Sequence, residues 1–257
     1  MKFDTIKMEV NDRIATLRFS RPDVMNAFNE QQVFDLAEAT AYLRDSHDIR
    51  VVILTGEGKG FTSGADLSEK GAGWDDTKDA LMRGYLPSFK NLIEMPKITI
   101  ASINGPAAGI GAAFALACDF KVMSEDAFIL SVFSNIALVP DGGLNWLLAR
   151  SIGYNKALEY AIEAKKIKAE ECYKLGIANK ICPSKDLEKV TLDWANVIAN
   201  RSPQAVSNTK KLMRDSFKKT YYETYEDEAE IQNTIFGNEE FQEGVSAFFQ
   251  KREPKFK

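Results

Sequence analysis

The sequence predicts an α/β chain whose first part alternates strands with helices and whose last part is entirely helical. Three observations carry that expectation. The runs Ile49–Gly56 (IRVVILTG) and Lys97–Ile103 are short, continuously apolar or β-branched, and closed by Gly or Asn-Gly turns, as strands buried on both faces are. Between and after them stand segments with helical spacing. Beyond Pro183 only helical, charge-laced patterning continues to the end.

In chain order, the first twenty residues alternate apolar and polar side chains about Asn11-Asp12, which reads as a β-hairpin. Arg21-Pro22 ends that pairing, and Asn29 is placed to cap a helix from Glu30 to Asp45. After IRVVILTG comes a Gly-rich loop, and Gly71–Trp74 opens a polar region without periodicity, expected to form a mobile flap. The second buried strand leads through Asn104-Gly105-Pro106 into the Gly/Ala-rich helix Gly109–Ala117. FKVMSEDAFILS reads as two short strands about Ser124-Glu125-Asp126, and helical spacing follows over Asn145–Ala164 and Ala169–Gly176.

Composition removes several classes of function. The chain has 257 residues, enough to bury a core without disulfides or metals, and its net charge of -4 offers no basic face for nucleic acid. No apolar run is long enough to span a bilayer, and no secretory leader pattern stands at the start. Cys118, Cys172 and Cys182 form no C-x-x-C pair, so neither a disulfide framework nor a zinc knuckle is indicated and the expected setting is a reducing cytoplasm. The single histidine, His47, lies in the polar stretch YLRDSHDIR and reads as a surface residue. Chemistry that needs a Ser-His or Cys-His pair, or histidine-ligated metal, has no second position to use.

Three segments are locally unusual. Gly58–Leu67 (GKGFTSGADL) follows a buried strand, and its small residues admit a ligand to the backbone; a strand-to-helix turn ending at Asp66 would present peptide N–H groups. An ordinary tight loop has the same composition. Asn104–Phe114 carries Gly109-Ile110-Gly111, but a dinucleotide fingerprint fails where Phe114 replaces its third glycine. The segment suits an oxyanion site or close packing of helix on sheet equally. In Leu138–Gly143, Asp141 sits between Pro140 and a Gly pair with Phe133, Val139 and Trp146 nearby in sequence; it reads as a carboxyl of raised pKa acting as a base, or as a helix N-cap.

Taken together, RPDVMNAF, GKGFTSGADL, INGPAAGIGAAFALACD, FSNIALVPDGG and GVSAFFQKREPKF resemble, in order and over nearly the whole chain, the crotonase superfamily of enoyl-CoA hydratases and isomerases. The resemblance implies an α/β fold, a crotonase-like ββα spiral core over residues 1–195 that binds acyl-CoA, and a C-terminal helical trimerisation region over 196–257. It implies a homotrimer or dimer of trimers, an acyl-CoA thioester substrate, and no cofactor or metal beyond the coenzyme A of the substrate. By position, the backbone N–H groups of Ala65 and Ile110, which follow Gly64 and Gly109, would form the oxyanion hole. Asp23, Val24, Met25, Ser63, Gly64, Asp66 and Leu67 would line the pantetheine and adenine, with Gly109, Phe133 and Pro140 near the acyl group. Arg21, Lys251, Arg252, Lys255 and Lys257 are candidates for the CoA phosphates.

The resemblance also has a specific gap. Similar hydratases use two glutamates, and their positions align here with Ala113 and Phe133. Similar isomerases place one acid just after the position of Pro140, where Asp141 stands. The expectation is therefore a Δ3,Δ2-enoyl-CoA isomerase, of the kind that includes the oxepin-CoA-forming enzyme of phenylacetate breakdown, with Asp141 as proton shuttle. The alternatives are a hydratase or other crotonase-type thioester reaction, a catalytically inactive acyl-CoA-binding homologue and, from a different class, a dinucleotide oxidoreductase using Gly109–Gly111.

Overall fold

A computed structural model describes residues 2–69 and 73–256. The expected hairpin is β1 (Ile6–Asn11) and β2 (Ile14–Phe19), antiparallel about Asp12, which takes the left-handed conformation (φ 52°) that the tight turn demands. Helix α1 (Glu30–Asp45) starts where the sequence indicates, with the Asn29 side chain accepting the Gln32 N–H at 3.0 Å. The two continuous apolar runs become β3 (Val51–Gly56) and β4 (Ile98–Ile103), every residue of both buried. Between them lie the short α2 (Thr77–Asp79), a π-helical turn over Ala80–Tyr85, and α3 (Leu86–Glu94). Residues 71 and 72 of the expected flap lie outside the described residues; Trp74 packs on Phe34, with ring centroids 5.2 Å apart.

From β4 the chain repeats a strand–strand–helix unit. β5 (Pro106–Ala108) and α4 (Ile110–Ala117) follow β4; β6 (Phe120–Ser124), β7 (Phe128–Leu130), α5 (Leu144–Ile152) and α6 (Tyr154–Glu163) come next; then β8 (Lys166–Lys168), α7 (Ala169–Lys174) and β9 (Lys180–Cys182). β4 and β6, the first strands of the two full units, join a six-stranded sheet of order β1-β2-β3-β4-β6-β9, and β5 and β7, the second strands, join a small sheet of order β5-β7-β8; in the last group β8 completes the small sheet and β9 the large one. Lone bridges Thr62↔Ala107 and Phe28↔Ala65 extend the small sheet into the Gly-rich loop. This is the ββα spiral. Of the small sheet only β7 was legible: Pro106–Ala108 reads as a turn, and three-residue β8, like β9 at the edge of the large sheet, is too short to show a period.

The helical end is α8 (Leu187–Ala199), α9 (Pro203–Asp215), α10 (Tyr221–Ile235) and α11 (Glu239–Gln250). Helix α8 runs through residue 195 unbroken and lies on β2, β3, β4 and β6, burying the smaller core with Ile14, Val51, Ile53, Ile100 and Val122. The opposite face carries the larger core, with α1, α3 and α4 packed over Leu17, Leu54 and Ala101. Among the described residues, no helix is long and apolar enough to cross a membrane.

One charged cluster ties the helical end to the sheet. Asp119, at the end of α4, accepts from Lys210 (2.8 Å) and Arg214 (2.7 Å) of α9 and from the Thr99 N–H (2.9 Å). Burial alone would raise its pKa, but the Lys210 and Arg214 charges outweigh that and hold it below the usual carboxylate range. Its contribution is therefore present above the unfolded pKa near 4 and lost as pH falls through the lower folded value. Asp119→Ala strands Lys210, only 5% exposed, without its counter-charge. The expected loss is about 3–5 kcal/mol at pH 7, read by urea unfolding, narrowing as the pH is brought below about 4.

Candidate active site

The Gly-rich loop and the start of α4 are pinned side by side. Thr62 N–H donates to Pro106 O and Ala108 N–H to Thr62 O, both at 3.0 Å, so the loop behaves as another edge of the small sheet. Thr62 Oγ1 donates to Asn26 O (2.7 Å) and accepts from Gly64 N–H (3.1 Å). These bonds bring Gly64 (φ 102°) against Gly109 (φ 57°), and both stand in the region that favours glycine. A Cβ on Gly64 would lie 2.9 Å from Ala108 O, and one on Gly109 would lie 3.7 Å from Gly64 Cα.

The residues just beyond these glycines present the donors. Phe28 N–H donates to Gly64 O and Asp66 N–H to Phe28 O, which turns the intervening Ala65 N–H away from that pairing. Ile110 is the first residue of α4, where an N–H has no intrahelical acceptor. Among the described residues neither N–H has an acceptor. Two unpaired donors on abutting segments, one at a helix N-terminus, are suited to stabilise an oxyanion.

Asp141 stands beside them. The next residue, Gly142, fits against α4 so closely that a Cβ there would meet Ala113 Cβ and Phe89 Cζ at 2.9 Å and Ile110 Cγ1 at 3.1 Å. Asp141 Oδ1 is enclosed with no hydrogen-bond partner. Burial in this setting pushes its carboxyl up to about 6, with its own backbone N–H opposing the rise. The N-cap reading is corrected here: α5 starts at Leu144 behind Gly143, and Asp141 gives that helix only its carbonyl, accepting Leu144 N–H at 2.9 Å.

The other candidates divide. Phe133 is 5% exposed and its Cζ lies 4.0 Å from a Cβ position on Gly109, so it walls the same cleft. Pro140, half-buried, accepts from Asn145 Nδ2 at 2.7 Å. Met25 O accepts Ser63 N–H (3.0 Å) and Val24 O accepts Ser63 Oγ (3.4 Å), which joins the Asp23–Met25 segment to the Gly-rich loop. Asp23 is exposed in that segment, and Leu67 is 76% exposed beyond the loop. Val139 is 78% exposed and Trp146 packs on Arg150 and Phe217, so of the three apolar residues expected around Asp141 only Phe133 walls the cleft.

Two more expectations change. No helix begins at Asp66 among the described residues; its carboxylate is occupied by Ser68 and Arg21 and is held low, the Ser68 bond being the larger cause. Arg21 spends its guanidinium on Asp66 (3.1 Å) and on Ala27 O, and so clamps the loop instead of standing free for phosphate. Arg252 is likewise paired, bidentate to Glu243, and Lys257 lies outside the described residues. Tyr85, Phe89 and Gly142 escaped the sequence reading. The Tyr85/Phe89 pair at i,i+4 was the available signal, but nothing local ties it to residue 141.

A family model for enoyl-CoA hydratase/isomerase matches residues 9–257. The chain belongs to that family. It is 32% identical over 256 residues to a probable enoyl-CoA hydratase of Rhodobacter capsulatus, covering 100% of this chain and 99% of the relative. It is 30% identical to a 1,2-epoxyphenylacetyl-CoA isomerase of Escherichia coli, with 98% and 97% covered. A crystal structure described as an enoyl-CoA hydratase subunit of Geobacillus kaustophilus superposes with a TM-score of 0.92 at 29% identity, covering 100% of this chain and 99% of that one. This enoyl-CoA hydratase/isomerase family member thus has the crotonase fold.

The raised Asp141 carboxyl has a thermodynamic consequence. Its folded pKa of about 6 exceeds the unfolded value near 4, so it costs stability as pH rises between the two and the full cost is present above about 6. Asp141→Asn should therefore gain on the parent by about 1–2 kcal/mol, after allowance for its partial exposure, when urea unfolding at pH 7.5 is compared with pH 4.

Proposed function

We propose that the chain is an acyl-CoA isomerase that moves the double bond of a 3-enoyl-CoA ester to the 2-position. The observation that carries the proposal is the Asp141 carboxyl, its enclosed Oδ1 without a hydrogen-bond partner, beside Ala113 and Phe133, which are apolar where a two-glutamate hydratase needs carboxylates. Asp141 as carboxylate removes a proton from C2, and the electron pair moves onto the thioester oxygen, held by the Ala65 and Ile110 N–H groups. The protonated Asp141 returns that proton to C4 as the double bond settles between C2 and C3. No water enters the balance, and the apolar wall excludes it from the dienolate. A carboxyl poised near pH 6 exchanges a proton in both directions at little cost.

Asp141→Asn should lower kcat for conversion of 3-hexenoyl-CoA to 2-hexenoyl-CoA by about 10²–10⁴-fold and leave the affinity for a saturated acyl-CoA within about threefold, measured by conjugated-thioester absorbance and calorimetry. The parent enzyme should lose kcat/KM as pH falls below about 6, where the carboxylate is titrated. Mass spectrometry of the product decides against hydration: isomerisation leaves the mass unchanged, and gain of one water refutes the proposal.

We further propose that the C-terminal helices mediate assembly into trimers or dimers of trimers. Phe248 and Phe249 are 78% and 77% exposed, and Tyr221 and Tyr222 are 74% and 82% exposed, which is costly apolar area for an isolated chain. Light scattering should give a mass that is a multiple of three chains; a monomer refutes this.

A further inference from the structure

Tyr85 is the polar group at this site that the proton shuttle does not use. It ends the π-helical turn Ala80–Tyr85, a local widening that often accompanies functional positions. The side chain is 8% exposed, and its ring meets Phe28 edge-on with centroids 6.0 Å apart and Phe114 at 6.4 Å. One turn later Phe89 stacks on Phe114 at 4.1 Å and reaches the backbone of Gly142, next to Asp141. Tyr85 is thus set in the aromatic wall behind the Asp141 turn.

Its hydroxyl makes no hydrogen bond among the described residues, and it lies within the field of two carboxylates, those of Asp141 and Glu69. Burial, with the Asp141 and Glu69 charges adding to it, pushes the phenol up, so it stays a neutral donor throughout the useful pH range. The ring is buried, yet the hydroxyl is not among the enclosed polar atoms that lack a partner, so water reaches it in the free protein; an acyl chain laid over it would remove that water, and phenylalanine would pack as well among Phe28, Phe89 and Phe114. Asp141 does not supply the acceptor: its Oδ1 has no partner, and no hydrogen bond joins the two side chains among the described residues. On the acyl-CoA reading, the acyl chain would run between the oxyanion donors and this aromatic wall.

We propose that the Tyr85 hydroxyl donates a hydrogen bond to an oxygen atom on the acyl chain beyond the thioester, so that oxygen-bearing acyl-CoA esters are the preferred substrate class. The inference rests on the acyl-CoA reading of the cleft. An unsubstituted chain would leave the hydroxyl unpaired, whereas a hydroxyl, ether or carbonyl oxygen would pair with it, and sites built on such a bond discriminate strongly against analogues that lack it.

Binding of non-reacting esters tests this apart from catalysis. Calorimetry would compare hexanoyl-CoA with analogues carrying an ether oxygen in place of each chain methylene in turn, and with 6-hydroxyhexanoyl-CoA. At least one oxygenated ester should bind the parent about tenfold or more tighter than hexanoyl-CoA, and Tyr85→Phe should abolish that preference while binding hexanoyl-CoA at least as well as the parent does. Equal affinities across the series, or a Tyr85→Phe loss common to every ester, overturn the proposal. In the same variant the pH profile for 3-hexenoyl-CoA isomerisation should keep its apparent pKa; a shift of about one unit or more would mean that Tyr85 acts on Asp141 and would also overturn it. If 3-hexenoyl-CoA is not isomerised while the esters bind as expected, the isomerase reading alone fails; if no ester binds, both fall.

Discussion

The contact on which the site depends is the approach of Gly64 to Gly109. Two peptide N–H groups converge on one point only if their segments touch backbone to backbone, and a Cβ on Gly64 would stand 2.9 Å from Ala108 O. The Thr62–Pro106 and Thr62–Ala108 bonds hold that approach from one side, and the Asn26 side chain, donating to Glu57 O and Gly60 O at 2.9 Å, holds it from the other. The two-sheet spiral follows the same logic. It delivers the end of one strand–strand–helix unit beside the next, so that a loop and a helix N-terminus widely separated in sequence become neighbours.

The second constraint is the surroundings of Asp141. Gly142, wedged on Ala113, Phe89 and Ile110, leaves no space for a side chain of its own, so the turn presses the preceding carboxyl into an apolar wall. The stacked rings Phe28, Phe114 and Phe89 make that wall rigid. The pKa of about 6 follows from burial, not from a neighbouring charge. In the proposed reaction a carboxyl so tuned takes the part for which histidine is commonly used, and His47 lies apart from it in a polar stretch at the end of α1.

Much of this was legible in the residues. Asn29 marks the start of α1 because an N-cap is a local interaction, and β3 and β4 announce themselves because burial on both faces requires unbroken apolar runs. The glycines at 64 and 109 are visible for the same reason, since positive φ is a local demand. What the sequence concealed is tertiary. Pro106–Ala108 is a strand only because Phe128–Leu130 pairs with it. Arg21 looks like a free cation until Asp66 closes on it. Asp141 resembles an N-cap because whether Pro-Asp-Gly-Gly starts the helix one residue or three residues later is settled by the fit of Gly142 on α4. Tyr85 belongs to the site only through its place in a stack of rings drawn from three separate segments.

In the proposed site both oxyanion donors are peptide groups, so the side chains at 65 and 110 would be free of the chemistry, and the isoleucine at 110 keeps its N–H. On the proposed reading, the reaction is instead decided by which of the few side chains facing the enolate can hold a proton. With Ala113 and Phe133 apolar, neither position adds a carboxylate to that wall to orient a water, so in the proposed reaction the proton taken at Asp141 is returned by the same group. A single carboxyl that can only give back what it has taken, to one carbon or the other, is a device for moving a double bond. A group that meets the acyl chain farther along, the part proposed for the Tyr85 hydroxyl, would then select which chains are held against it without taking part in the transfer.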